Sequence, residues 1–123
     1  YVTMKIGSRW FLTTHLHFAL PLVRKKQFEA IEKAFGNEVT IIFGDLNSNP
    51  ENDETNILTD SGWTSVFEGP TYPSDSPKKT FDGFWMSKAF YDEVSATAIE
   101  RIFFQGPLLP SDHLAVHLTL LYR

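Results

Sequence analysis

A nearly unbroken apolar run, Val39-Thr40-Ile41-Ile42-Phe43, followed at once by Gly44-Asp45-Leu46-Asn47, does most to limit what this chain can fold into. The run is short and β-branched, and it is apolar on both alternating faces, which is the pattern of a central strand covered on each side. Gly44 permits a backbone bend that a larger residue resists. Asp45 and Asn47 stand two positions apart, so in extended chain they project to the same side. A carboxylate and a carboxamide delivered together at a strand end suit a metal ion or a phosphate. An Asx turn leaving the strand explains the same tetrapeptide with no ligand at all. The choice between them rests on the remaining sequence.

Around this run the chain alternates strands and helices. Val2, Met4 and Ile6 alternate with Tyr1, Thr3 and Lys5, and Gly7-Ser8 is a two-residue hairpin turn leading to a return strand from Arg9 to His15. Pro21 opens a helix over Leu22 to Phe35, with Phe28, Ile31 and Phe35 on one face and Gly36-Asn37 as its stop. Arg24, Lys25 and Lys26 fall in its first turn and read as a solvated face. Asn49-Pro50-Glu51 is a helix start, with Asn49 as cap and Pro50 at the first helical position, ending near Ser61-Gly62. Further strands are expected over Trp63 to Phe67, Thr80 to Met86, Asp92 to Arg101 and Leu114 to Leu121, with Gly106-Pro107 and Pro110 as breakers before the last. Residues 69–79, with Pro70, Pro73 and Pro77, form a polar loop. The sum is an α/β (α+β) architecture, a mixed sheet with flanking helices.

Composition serves mainly to exclude. The length of 123 residues fits one domain with a real core, and 11 of its aromatics are Phe, which suits a sheet-rich interior. The absence of Cys removes disulfides, thiolate metal sites and a cysteine nucleophile. A net charge of −4 opposes broad adhesion to nucleic acid or acidic membranes, but leaves open an enzyme that meets a phosphoester through a bound cation. No apolar run approaches the roughly 20 residues that would insert in a membrane. Tyr1 opens directly into a strand without an initiator Met, from which the chain is expected to be part of a larger protein.

Four strand ends carry chemistry-grade side chains in apolar surroundings: Thr14-His15-Leu16-His17, with His15 and His17 on one side of the strand, Gly44-Asp45-Leu46-Asn47, Phe81-Asp82-Gly83-Phe84 and Ser111-Asp112-His113-Leu114. Each alone has a structural explanation as a strand-end histidine, a turn or a cap. Together, in an α/β sheet, they converge on one crevice. Carboxylates, an amide and imidazoles without thiolate suit a hydrolase assisted by Mg²⁺ or Mn²⁺ ahead of Zn²⁺. An imidazole beside a carboxylate is a poised acid–base group.

The order His-Leu, Gly-Asp-Leu-Asn, Phe-Asp-Gly-Phe, Ser-Asp-His-Leu-Ala-Val resembles the endonuclease/exonuclease/phosphatase superfamily of deoxyribonuclease I-like metal-dependent hydrolases. The loop Thr71-Tyr72-Pro73-Ser74-Asp75 with Lys79-Thr80-Phe81-Asp82 is similar to a subgroup common among bacterial members. The resemblance runs from about Thr13 to Leu120 and implies half of a four-layer α/β sandwich. It implies that Asp45 orients the attacking water or binds Mg (or Mn), and that Asn47 holds phosphoryl oxygens. It implies that His15 contacts the phosphate or assists the leaving group. Asp82 would pair with His113 as the general base or transition-state stabiliser, and Asp112 would be a metal ligand or support one. His17, where the family often has Asp, receives a supporting role only. Phe81-Asp82-Gly83-Phe84 departs from the usual Ile-Asp-Tyr-Ile, keeping the acid while Gly83 removes a side chain beside the site.

Members of the superfamily are much longer, and their first half supplies a metal-binding Glu and an Asn. None of Glu29, Glu32, Glu38, Glu51, Glu54, Glu68, Glu93 or Glu100 sits in that early-strand context. The expectation is therefore the C-terminal portion of a phosphoesterase, inactive as this fragment. The alternative is a non-catalytic binding or scaffold module derived from the same fold. The phosphoester substrate class stays open, although the lack of a basic stripe disfavours duplex DNA. The open inner sheet face is expected to meet the N-terminal half or, failing that, a second copy.

Overall fold

The computed structural model describes residues 1–106 and 108–123, so Pro107 of the expected Gly106-Pro107 breaker lies outside the described residues. Strands β1 (Val2–Ile6), β2 (Arg9–Thr13), β3 (Val39–Asp45), β4 (Thr64–Val66) and β5 (Asp82–Met86) form one sheet in the order β1-β2-β3-β5-β4. The expected apolar run is the middle strand, parallel to β2 on one side and antiparallel to β5 on the other. Helix α1 (Pro21–Phe35) makes the crossover between β2 and β3, as a parallel pair requires. Strands β6 (Val94–Ile102) and β7 (Ala115–Tyr122) pair with each other as a separate antiparallel ribbon.

The alternation of β3 sorts its side chains into two cores. Ile42 joins Leu12 and Trp85 beneath Phe28 and Ile31 of α1 and Leu58 of the short helix α2 (Asn56–Asp60). Ile41, Met86 and Val66 form the second core, into which Ile99, Leu118 and Leu120 of the β6–β7 ribbon pack beside Phe11, Phe43 and Phe84. The layers are thus helix, five-stranded sheet and ribbon, a mixed α/β arrangement as expected. The ribbon leaves part of the sheet uncovered. Met4 lies opposite Phe11, so Val2, Met4 and Ile6 project toward the ribbon side, and they stay 65%, 53% and 57% exposed.

Three local expectations need correction. Asn49 does cap, its Oδ1 accepting the Glu51 N–H at 3.0 Å, but it caps a turn. The chain then passes through a 3₁₀ turn at Asp53–Thr55, and the α-helix begins only at Asn56. A helix, α3 (Lys88–Glu93), precedes the strand expected from Asp92. Arg24 is not on a solvated face, although Lys25 and Lys26 are exposed. Its guanidinium is buried against Glu54, whose Oε1 accepts from Arg24 Nε at 3.0 Å and Nη2 at 2.8 Å.

Candidate active site

Asp45 closes β3 and Asp82 opens β5, and the two residues are direct partners across that antiparallel pair. Two carboxylates are thereby held side by side, which costs free energy unless something answers their charge. His113 answers it from the turn ahead of β7. Its Nδ1 lies 2.7 Å from Asp82 Oδ2 and its Nε2 lies 3.5 Å from Asp45 Oδ2. That turn is tied down by its backbone. Leu114 N–H donates to the Thr71 carbonyl at 2.8 Å, Ser74 N–H donates to the Asp112 carbonyl at 2.7 Å, and Ser111 Oγ accepts from His113 N–H.

The sequence-predicted Gly44-Asp45-Leu46-Asn47 forms a turn that carries Asp45 into a cluster with Asp82 and His113. Asn47 adopts a left-handed φ of 47°, and its N–H donates to Asp45 Oδ1 at 3.0 Å, an Asx turn. Gly44, at φ 130°, leaves space for the Thr14 carbonyl, which would stand 2.2 Å from an added Cβ. That close approach lets Thr14 N–H reach the Phe43 carbonyl and Leu16 N–H reach the Asp45 carbonyl, both at 3.0 Å. The loop carrying His15 is thereby laced to the end of β3. His15 Nε2 comes within 3.2 Å of Asp45 Oδ2 while its side chain stays 72% exposed.

The structure therefore brings together His15, Asp45, Asp82 and His113. Asn47 borders them but is buried, with its Nδ2 donating to the Leu16 carbonyl at 2.9 Å. Asp112 is exposed, and its carboxylate is not one of the convergent groups, although its charge helps hold the proton on His113. His17 does not share a face with His15 as the strand pattern suggested. The strand ends at Thr13, and His17 Nδ1 instead accepts the N–H groups of Ala19 and Leu20 at the approach to α1. Gly83 owes its identity to the other side of the sheet, where an added Cβ would stand 2.4 Å from the Phe67 ring.

The electrostatics separate the two central groups. Burial raises the Asp45 carboxyl above the ordinary 3.8, and the Asp82 charge adds to this; the Asn47 N–H and the two imidazoles oppose it without prevailing. For His113, burial works against the charged form, but the hydrogen bond and charge of Asp82, with Asp45 and Asp112 behind it, lift the ring above the ordinary 6.5. Asp45 is a carboxylate with raised affinity for a proton, and His113 is an imidazole inclined to keep one. A separation of 3.5 Å is longer than a normal N–H···O bond, so Nε2 remains available to a third group that approaches the pair from the side.

Ligand atoms of Asp45, Asp82 and His113 all lie within 4.8 Å of one another, and they are the group able to hold a cation among the described residues. Asp82 Oδ2 is already occupied by His113 and by Thr71 Oγ1 at 2.5 Å. On Asp45, Oδ1 accepts from Asn47 N–H, and Oδ2 faces His15 Nε2 at 3.2 Å and His113 Nε2 at 3.5 Å. Mg²⁺ commonly takes one or two carboxylates and completes its shell with water and substrate phosphate, so the donor set fits a hard cation held from one side.

Thr71, Arg24 and Glu54 were not singled out as functional from the sequence. Thr71 lay within the motif-bearing loop, but its contact with Asp82 spans eleven residues and leaves no local signature.

The fold is similar to that of a solved endonuclease/exonuclease/phosphatase family protein. The chain superimposes on an endonuclease/exonuclease/phosphatase family protein from Bacteroides thetaiotaomicron with a TM-score of 0.60 at 15% sequence identity. The likeness covers 94% of this chain and 50% of that protein, so this chain spans about half its length. No protein-family model matches the sequence, and no curated protein does.

Proposed function

We propose that this chain is the C-terminal portion of a divalent-metal-dependent phosphoesterase, and that Asp45 and His113 do opposite halves of its acid–base work. The observation that carries this is the imidazole of His113 set between two carboxylates on adjacent strands, on a fold shared with a phosphatase and nuclease family. Asp45, at the strand end beside both imidazoles, orients the attacking water and accepts its proton. His113, oriented through Nδ1 by Asp82, presents a protonated Nε2 to the oxygen on which charge develops. His15, exposed beside Asp45, meets the phosphate or the leaving oxygen, and Asn47 fixes the turn that carries Asp45.

A Mg²⁺ or Mn²⁺ ion, held from this side by Asp45, would polarise the phosphoryl oxygens. The remaining ligands come from the other part of the domain. The uncovered side chains of Val2, Met4 and Ile6 support a covering layer there, because a solvent-facing apolar strip on a sheet is costly. This chain expressed alone is therefore expected to self-associate and to lack useful activity.

The test is hydrolysis by the intact gene product on a panel of phosphomonoesters and phosphodiesters, with Mg²⁺ and with EDTA. The proposal expects EDTA-sensitive turnover that Asp45→Ala abolishes. A well-folded intact protein inert on the whole panel, or an Asp45→Ala variant of full activity, would overturn it.

A further inference from the structure

The hydroxyl of Thr71 has no counterpart among the groups the reaction uses, yet it is buried and donates to the carboxylate that holds His113. Thr71 Oγ1 donates to Asp82 Oδ2 at 2.5 Å, the same oxygen that His113 Nδ1 meets at 2.7 Å. Thr71 also touches the other segments of the site through its backbone. Its N–H donates to the Lys79 carbonyl and its carbonyl accepts from Leu114 N–H, each at 2.8 Å. Phe81 N–H, one residue before Asp82, approaches Thr71 Oγ1 at 3.4 Å. The next side chain, Tyr72, lies against the His113 ring with centroids 4.9 Å apart.

A carboxylate at a strand end can turn about its χ2 and offer either oxygen to a partner. Two donors converging on Oδ2 from different segments remove that freedom. His113 then always finds the same lone-pair-bearing atom at the same place. With Nδ1 committed as the donor to Asp82, Nε2 is left as the nitrogen that faces Asp45 and the reacting group. A hydroxyl is suited to this task because it donates one hydrogen bond without bringing a charge that would compete with the imidazole.

We propose that Thr71 is a positioning residue of the hydrolytic site, fixing through its hydroxyl the rotamer of Asp82 and thereby the orientation of His113. The inference rests on the acid–base reading above. It adds a third member, Thr71-Asp82-His113, and places the proline-rich loop at residues 69–79 among the determinants of turnover.

The experiment compares Thr71→Val, which keeps the shape and deletes the hydroxyl, with Thr71→Ser, which keeps the hydroxyl and deletes a methyl. In the intact gene product with Mg²⁺ and a phosphodiester, Thr71→Val is expected to lower kcat about 10- to 100-fold with little change in KM, the usual size of an effect on a group that orients another. Thr71→Ser is expected to stay within about threefold of wild type, since the orienting bond survives. A purely structural role would move the two variants alike, or move stability and leave kcat in place. Equal losses in both variants, or wild-type kcat in Thr71→Val, would overturn the proposal.

A second measurement does not need turnover. The ring Nδ1–H of His113 in an NMR spectrum is expected to be sharp and slow to exchange in wild type and Thr71→Ser, and broadened or lost in Thr71→Val. An unchanged signal in Thr71→Val would overturn the orienting role even if the protein hydrolyses no phosphoester. Loss of the signal in a protein without phosphoesterase activity would uphold the hydrogen-bond relay and sink the hydrolase reading instead.

Discussion

Replacing Arg24 by Met is a severe test of how the two site-bearing loops are held. Arg24 and Glu54 are each about 8% exposed at the side chain, so the pair is screened from water almost completely. Arg24 gives Nε and Nη2 to Glu54 Oε1, and Nη1 to the His17 carbonyl at 3.1 Å, tying the chain after His15 to the chain after Asn47. Without it, Glu54 keeps Ser48 Oγ at 3.0 Å and a long contact of 3.4 Å to Asn52. Removing one partner of such a pair costs about 3–5 kcal/mol, because the other charge is stranded. That is a large part of the roughly 5–15 kcal/mol that stabilises an ordinary domain. The double variant Arg24→Met, Glu54→Leu removes both charges at similar volume and should come back to within about 2 kcal/mol of wild type, the deficit reflecting the lost acceptor for Ser48 and Asn52.

The pH dependence gives the same pair a second signature. Burial pushes the Glu54 carboxyl up, but hydrogen bonds from Arg24, its own backbone N–H and Ser48, with the guanidinium charge, outweigh this and hold it below the ordinary 4.5. A depressed folded value contributes stability that is complete above the unfolded value and is lost as pH falls through the folded one. Wild type should therefore lose stability below about pH 4.5 in a way the double variant does not. Urea denaturation of the four members of the cycle, at pH 7 and again at acid pH, measures both effects. A cost under about 1 kcal/mol for Arg24→Met, or strictly additive single variants, would refute the reasoning.

Two further outcomes follow from the site. Gly44→Ala should cost about 2–5 kcal/mol, combining a φ that disfavours a side chain with a backbone collision at the Thr14 carbonyl, whereas Gly83→Ala meets a side chain, the Phe67 ring packed against Trp85, and should cost less; a urea midpoint for Gly83→Ala at or below that of Gly44→Ala would contradict the distinction. Asp45→Asn should stabilise the metal-free protein at neutral pH by on the order of 1 kcal/mol, or a few degrees in Tm. The raised Asp45 carboxyl favours the protonated form in the folded state, so its ionisation opposes folding, and the advantage of Asn should shrink as pH falls toward 3.8; a lower Tm for Asp45→Asn would contradict this.

What could be read from the sequence was whatever depended on near neighbours along the chain. The alternation through Val2 and Met4, the Gly7-Ser8 turn, the apolar face of Phe28 and Ile31, and the unbroken run ending at Gly44 each carry their own period or turn chemistry. His15, Asp45, Asp82 and His113 could be nominated together because each follows or precedes a strand, and strand ends converge. The failures at Arg24 and Gly83 share a cause in long-range contact, while that at His17 is local. Arg24 looked solvated because nothing near it in sequence reveals Glu54, thirty residues later. His17 looked paired with His15 because alternation was extended past Thr13, where the strand stops and a helix approach takes the ring. Gly83 looked like an adaptation of the site because Phe67 is distant in sequence and close in space. Asn47 is the Asx-turn residue that its tetrapeptide suggested, its N–H held by the Asp45 carboxylate.

The central claim is that His113, held between Asp82 and Asp45, supplies acid–base catalysis to phosphoester hydrolysis. The most direct measurement is kcat of the intact gene product for bis(4-nitrophenyl) phosphate in saturating Mg²⁺, wild type against His113→Gln, with circular dichroism confirming that both are folded. The account predicts a fall of about 10²- to 10⁴-fold. A folded His113→Gln enzyme turning over within a few-fold of wild type would contradict it.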